Sequence, residues 1–191
     1  MKAEQVLEIY KQHNALLEGH FLLSSGLHSD RFLQSELIMQ YPAVVVDIVE
    51  ELARQLIDLD FTTVVSPAIG GIRFGYELAR QLKKRTLFTE RVDETMTFRR
   101  GFSLNKGEKV IIAEDIVTTG KSTKECMDAV IKAGGEIVAI TCLIDRSGGR
   151  AQFDQPFYPL AQLDVQTYDP ADCPLCKKGL PAVKPGSRNI K

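Results

Sequence analysis

No stretch of this 191-residue chain stays apolar for more than eight residues, the longest being 137–144 with Thr141 inside it. A membrane-spanning helix needs about 20, so no bilayer crossing and no membrane partner are expected. The opening, MKAEQVLEIYKQHNALLEGH, has acids at Glu4 and Glu8 and no continuous apolar segment. Neither a secretory signal nor an Arg-rich transit peptide is expected there, which makes the cytoplasm the expected compartment. An excess of one charge is also missing: 24 Lys and Arg stand against 25 Asp and Glu, a formal charge of −1. That balance gives no long-range field for nucleic acid, so no nucleic-acid partner is expected and any anionic ligand must be gripped by a local set of groups. Repeats and low-complexity tracts are absent.

Cysteine is scarce and unevenly placed. Cys126 and Cys142 lie in apolar periodic segments and read as buried thiols, while Cys173 and Cys176 form a C-P-L-C turn. One C-x-x-C supplies two of the four ligands a structural zinc takes, and the three histidines, His13, His20 and His28, all fall in the first thirty residues. A zinc site would be favoured if two subunits paired their motifs around one ion. The simpler expectation is a reduced turn kinked by Pro174, with His20 and His28 structural or exposed, and no metal ligand is assigned. With 44% hydrophobic residues, a single domain of this length buries about 70% of its unfolded surface and needs no disulfide staple.

The spacing of apolar residues changes period along the chain. Val44, Val45, Ile48, Val49, Leu52, Leu56 and Leu59 recur every three or four positions behind Pro42, which predicts an amphipathic helix over 43–59. TTVVS at 62–66 is a short β-branched run that ends at Pro67, and IGGIRFGYELARQL then reads as a glycine-rich turn feeding a helix. The pattern repeats with strands near 85–90 and 109–116, a helix over 122–133 that stops at Gly134 and Gly135, and the apolar run EIVAITCLID. Such alternation predicts a doubly wound, mostly parallel α/β sheet with helices on both faces. Residues 1–40 fall outside it as a small N-terminal cap, 41–155 form the core, and 156–191 form an irregular C-terminal extension. Four of the eight prolines lie between Pro170 and Lys191. Residues 90–108, ERVDETMTFRRGFSLNKGE, interrupt the rhythm either as a mobile loop or hairpin over a site, or as a solvated hairpin without function.

The segment most suited to chemistry is VIIAEDIVTTGKST at 110–123. A buried strand delivers the adjacent carboxylates Glu114 and Asp115, then a run of hydroxyls and one glycine enters a helix. Ligands of open parallel sheets bind beyond the carboxyl ends of the strands, and N–H groups at a helix start cradle phosphate. A Walker-type loop needs glycine five residues before the glycine of G-K-S/T, but Asp115 stands there. Gly70 and Gly71 are adjacent, so IGGIRFG is not a dinucleotide fingerprint either. Two acids before a phosphate cradle suit a ribose 5-phosphate, with its phosphate on the Thr118 to Ser122 turn and its hydroxyls against Glu114 and Asp115.

Apolar strand, two acids, two further residues and T-T-G-x-S/T resembles the phosphoribosyl pyrophosphate (PRPP) signature of the type I phosphoribosyltransferases. GHFLLSSGLHSDRFLQ at 19–34, SPAIGGI at 66–72 and LIDRSGG at 143–149 further resemble the orotate phosphoribosyltransferases, in order over about 16–150. The resemblance implies the type I phosphoribosyltransferase fold, Mg²⁺ as cofactor, PRPP and orotate as substrates, and a homodimer. It implies that Glu114, Asp115, Ile116, Val117, Thr118, Thr119, Gly120, Lys121 and Ser122 hold PRPP. Thr118 and Arg146 would contact orotate with Phe32 near the base, although Arg146 could instead pair with Asp145 or Glu90. Asp115 would act in catalysis by orienting the ribose and stabilising its developing positive charge. Well-known orotate enzymes carry lysines where this chain has Ser24 and Gly70, and a lysine and histidine on a loop where ERVDETMTFRRGF has neither. Arg91, Arg99 and Arg100 are the basic groups left to neutralise departing pyrophosphate, with Arg91 and Arg99 the leading choices and Lys106 closing the segment. Transfer to a purine or another base, and a PRPP-sensing regulator, are the competing readings.

Overall fold

The structure is a computed structural model that describes residues 1–23 and 25–185. The chain opens with α1 (Ala3–Gln12), the hairpin strands β1 (Leu16–Leu22) and β2 (His28–Leu33), and the single turn α2 (Glu36–Met39). Next come α3 (Pro42–Leu56), β3 (Thr63–Pro67), α4 (Gly70–Leu82), β4 (Arg85–Val92) and β5 (Thr95–Phe98). They are followed by β6 (Lys109–Val117), α5 (Lys121–Lys132), β7 (Glu136–Asp145), β8 (Phe157–Gln162), β9 (Thr167–Tyr168) and α6 (Pro174–Lys177).

Six strands form the main sheet in the order β5-β4-β3-β6-β7-β8, parallel except for β5. From β3 the chain moves outward through α4 to β4, and from β6 it moves the other way through α5 to β7. Right-handed crossovers in opposite directions put α4 and α5 on opposite faces. The side chains follow: Val64, Ile111 and Ala113 face Phe74 and Leu78 of α4, while Val65, Val110 and Ile112 face Cys126 and Val130 of α5. Burial on both faces makes these strands continuously apolar rather than alternating. The loops after β3 and β6 therefore diverge at the carboxyl edge, which opens a crevice between them.

The α/β alternation predicted from the sequence is borne out, with α3 beginning at Pro42. Two boundaries are corrected. The core does not end at 155, because β8 pairs in parallel with β7 through Ile140–Phe157, Cys142–Pro159 and Ile144–Ala161. Pro159 interrupts its apolar run, and an edge strand tolerates a residue that cannot donate to a ladder. The cap and the extension are also not separate pieces. β9 pairs with β2 in a second sheet, and Val183 lies along the edge of β1, accepting from the Leu22 N–H at 2.8 Å and donating to the His20 carbonyl at 2.8 Å. The extension, irregular over most of its length as expected, thus also supplies a strand to each sheet. Its last six residues, 186–191, lie outside the described residues, as does Ser24.

Residues 90–98 form the β4–β5 hairpin, which turns at Asp93 and Glu94, both at positive φ. Alternation along β4 sends Thr89 and Arg91 toward α5, where Thr89 Oγ1 donates to Cys126 Sγ and Arg91 pairs with Glu125. Glu90 points the other way and pairs with Arg100 at 3.0 Å.

Candidate active site

The crevice holds two adjoining clefts. One, of about 270 Å³, is walled by Pro67, Ala68 and Gly70 from the loop after β3 and by residues 114–123 from the loop after β6. The other, of about 510 Å³, is walled by Leu23, Leu27 and Phe32 of the N-terminal hairpin, by Arg146 and Arg150 beyond β7, and by Val165 and Thr167. Thr118 and Thr119 line both clefts. A ligand with a phosphorylated sugar and a ring can therefore lie across the two with its sugar–ring bond beside these threonines.

In the first cleft the backbone of the turn is prepared for an anion. Gly120 stands at the N-cap of α5 with φ at 75°, a left-handed conformation that glycine adopts freely. Thr119 Oγ1 accepts from the Lys121 N–H at 3.3 Å, and the free N–H groups of the first turn together with the helix dipole favour phosphate there. Opposite them, Glu114 is only 7% exposed and accepts from Thr123 Oγ1 at 3.4 Å. Burial, and then the Asp115 carboxylate beside it, push the Glu114 pKa well above its ordinary value. Burial also raises that of Asp115. Two acids whose ionisation is resisted here gain from any ligand that brings hydroxyl donors or positive charge.

Gly70 explains one departure from the lysine pattern. A Cβ built there lies 2.6 Å from Asp115 Oδ1, so a side chain at position 70 displaces the acid. Gly71 meets backbone instead of a side chain, since its Cβ would lie 2.9 Å from the Ala113 carbonyl oxygen. These glycines let the start of α4 sit directly on the β6 carboxyl end.

In the second cleft, Arg146 is half-buried, and among the described residues no carboxylate pairs with it. The alternative that it pairs with Glu90 fails because Glu90 holds Arg100. Asp145 is engaged too, accepting from the Ser147 N–H at 2.8 Å. The Arg146 N–H donates to the Val117 carbonyl at 2.9 Å, which ties the arginine to the β6 loop, and burial draws its pKa below the ordinary value. A half-buried guanidinium in a cleft that Phe32 also lines suits a flat ligand that carries a carboxylate.

Thr118, Arg146 and Phe32 are thus brought together, as are Glu114 through Ser122. Arg91, Arg99 and Arg100 are not equivalent. Arg91 is engaged by Glu125, which also reaches Lys121 at 3.9 Å, and Arg100 by Glu90. Arg99 makes no ion pair among the described residues. Sequence reasoning missed Leu23, Leu27, Arg150, Val165 and Thr167. A second arginine four residues after Arg146 was a usable signal, whereas the other four reach the cleft only because the hairpin and the extension share a sheet.

A phosphoribosyl transferase domain model matches residues 39–169. An orotate phosphoribosyltransferase of Caldicellulosiruptor saccharolyticus is 47% identical over 191 residues, covering 100% of both chains. The chain belongs to the orotate phosphoribosyltransferase family. A second member, from Thermotoga maritima, is 48% identical over 97% of this chain and 100% of its own. Solved structures agree on the fold. The orotate phosphoribosyltransferase of Aeropyrum pernix superposes with a TM-score of 0.67 at 22% identity, covering 83% of this chain and 93% of that one. The Mycobacterium tuberculosis enzyme with inorganic phosphate gives 0.68 at 20% identity, covering 83% and 94%. Membership makes the protein a phosphoribosyltransferase and agrees with the resemblance carried by its signature segment.

Proposed function

We propose that the protein transfers the 5-phosphoribosyl group of PRPP to orotate, giving orotidine 5′-phosphate and pyrophosphate in de novo UMP synthesis. The observation that carries this reading is the shared wall of Thr118 and Thr119 between an acid-lined cleft and a cleft whose Arg146 meets no carboxylate among the described residues. The 5-phosphate rests on the turn before α5, and the ribose hydroxyls donate to Glu114 and Asp115. Orotate stacks near Phe32 with its carboxylate on Arg146. Its ring nitrogen attacks ribose C1 and gives up its proton to water or the departing pyrophosphate, the bond from C1 to the pyrophosphate oxygen breaks, and that electron pair leaves with pyrophosphate. No side-chain nucleophile is needed. Asp115 and Glu114 stabilise the positive charge that grows on the sugar, and Thr118 fixes the base against it.

The donor set suits Mg²⁺. Hard carboxylate oxygens line the cleft, and a cation beside them would relieve the burial that resists their ionisation. When bound with PRPP, the ion supplies charge neutralisation for the leaving group, held mostly by substrate oxygens and water with Asp115 or Glu114 alongside. Arg99 and Arg91 are assigned to the same leaving group from the hairpin, where Arg91 must first exchange its contact with Glu125.

A homodimer in the cytoplasm is part of the same reading. Exposed Tyr76 lines an apolar groove of about 330 Å³ with Met39, Pro42, Val45 and Ile72, which a second copy would cover. No described helix is long and apolar enough to cross a membrane. The assay offers Mg²⁺ and PRPP with orotate, uracil, adenine, hypoxanthine or xanthine separately and follows pyrophosphate release. Turnover with orotate is expected. Turnover of a purine without orotate, or PRPP binding without any turnover, overturns the reading.

A further inference from the structure

The C-P-L-C motif does not stand alone in three dimensions. Cys173 and Cys176 bracket the start of α6, and the fold brings them onto His20 of β1 and His28 of β2, residues about 150 positions away in sequence. One ligand atom from each of the four lies within 4.8 Å of every other. His20 Nε2 is 2.8 Å from His28 Nδ1 and 3.5 Å from Cys173 Sγ, while Cys176 Sγ is 3.9 Å from His20 Nε2 and 3.4 Å from His28 Nδ1. For a tetrahedral zinc the bond lengths require about 3.3 Å between nitrogens and about 3.6 Å between nitrogen and sulfur. The three nitrogen–sulfur distances of 3.5, 3.9 and 3.4 Å sit near that value, and the two nitrogens need to part slightly from 2.8 Å to admit the ion.

Three further features fit a metal. Both histidines and Cys173 are buried, although imidazoles and a thiol gain little from packing together. The His20 ring lies with Nδ1 2.8 Å from the Leu180 carbonyl oxygen. That contact fixes Nδ1 as the protonated nitrogen and leaves the Nε2 lone pair aimed at the cluster, the tautomer and outer contact that histidine ligands of zinc use. Two thiolates and two neutral imidazoles around Zn²⁺ also sum to zero charge, which suits a site whose two histidines and Cys173 are buried while Cys176 closes it on the solvent side.

We propose that His20, His28, Cys173 and Cys176 of one chain bind a structural Zn²⁺ that staples the C-terminal extension to the β1–β2 hairpin. The set is closed, with four protein ligands and no open position, so the ion takes no part in the transfer reaction. In this proposal the pair that a lone C-x-x-C lacks comes from the same chain rather than from the motif of a second subunit, and His20 and His28, expected to be structural or exposed, serve as ligands. The ion acts where packing is thin. α6 is a single turn, and among the described residues the hydrogen bonds outside the cluster that tie 170–185 to the body are those of Val183 with β1 and of the Leu180 carbonyl with His20. The hairpin so fastened is the one whose tip, through Leu23 and Leu27, walls the second cleft.

The test uses the full chain purified under reducing conditions without chelator. Elemental analysis is expected to give about one zinc per chain, with near-complete loss in the double variant Cys173→Ser/Cys176→Ser and in His28→Ala. Exchange into Co²⁺ is expected to give the intense visible bands of a tetrahedral site and a thiolate charge-transfer band that the double variant lacks. A folded parent that stays substoichiometric after zinc reconstitution overturns the proposal, whether or not the variants fold. So does a double variant that retains the metal, or a parent isolated with a Cys173–Cys176 disulfide.

Discussion

Removing the Arg146 side chain separates a binding role from a structural one. The guanidinium is half-buried and pairs with no carboxylate among the described residues, and the backbone of residue 146 is held independently by its N–H bond to Val117. Arg146→Ala therefore removes no contact on which the fold depends, and unfolding midpoints are expected to stay within about 0.5 kcal/mol of the parent. A charge-assisted hydrogen bond contributes about 1.5–3 kcal/mol. Losing the one to the orotate carboxylate is therefore expected to lower kcat/KM for orotate about 10- to 200-fold, at about 1.4 kcal/mol per factor of ten. Arg146→Lys should recover part of that, since a point charge replaces a planar fork. Steady-state kinetics with orotate varied at saturating PRPP, alongside urea unfolding, measure both quantities. Unchanged kcat/KM with a clear loss of stability would refute the reasoning, because Arg146 would then be packing rather than binding.

Glu114→Gln should trade activity for stability. Because the folded-state pKa is raised, ionising Glu114 costs the folded state as pH climbs through the ordinary carboxylate value, and the penalty is complete above the folded value. The variant should gain on the parent in urea midpoint between pH 5 and pH 8 while its turnover drops; a variant less stable than the parent at pH 8 contradicts this. Gly70→Ala and Gly71→Ala should differ in kind. The first pushes against the movable end of Asp115 and should cost kcat with little stability, whereas the second meets a backbone carbonyl and should cost about 1–3 kcal/mol on thermal unfolding. Of the hairpin arginines, Arg99→Ala should lower kcat, and Glu125→Ala, which frees Arg91 from its partner, should leave kcat intact or raise it. If all three arginine-to-alanine variants turn over normally, pyrophosphate is neutralised elsewhere.

Much of this was legible in one dimension because the relevant physics is local. Continuous apolar runs at 110–113 and 137–144 can only be buried on both faces, and the acids, hydroxyls and glycine of 114–122 follow directly on a strand end. Sequence spacing therefore placed the anion cleft on its own segment. β8 was harder to see because an edge strand buries less and tolerates Pro159, so its apolar pattern is broken. The arginines of 91–100 were legible as candidates but not as free or engaged, since Glu125 and Glu90 reach them only through the register of the hairpin and the packing of α5.

By itself the sequence determined the alternation of strands and helices, the acid pair and its phosphate turn, and the family. All of these are encoded in neighbouring residues whose period and chemistry need no distant partner. The tertiary structure alone decided that the base cleft is walled by residues from both chain ends, that Thr118 and Thr119 join the two clefts, and that His20 and His28 meet Cys173 and Cys176. The contacts between the two chain ends close loops of more than a hundred residues. Ladder pairing of β9 with β2 and of Val183 with β1 sets them, and no local pattern records which edge an extension will find.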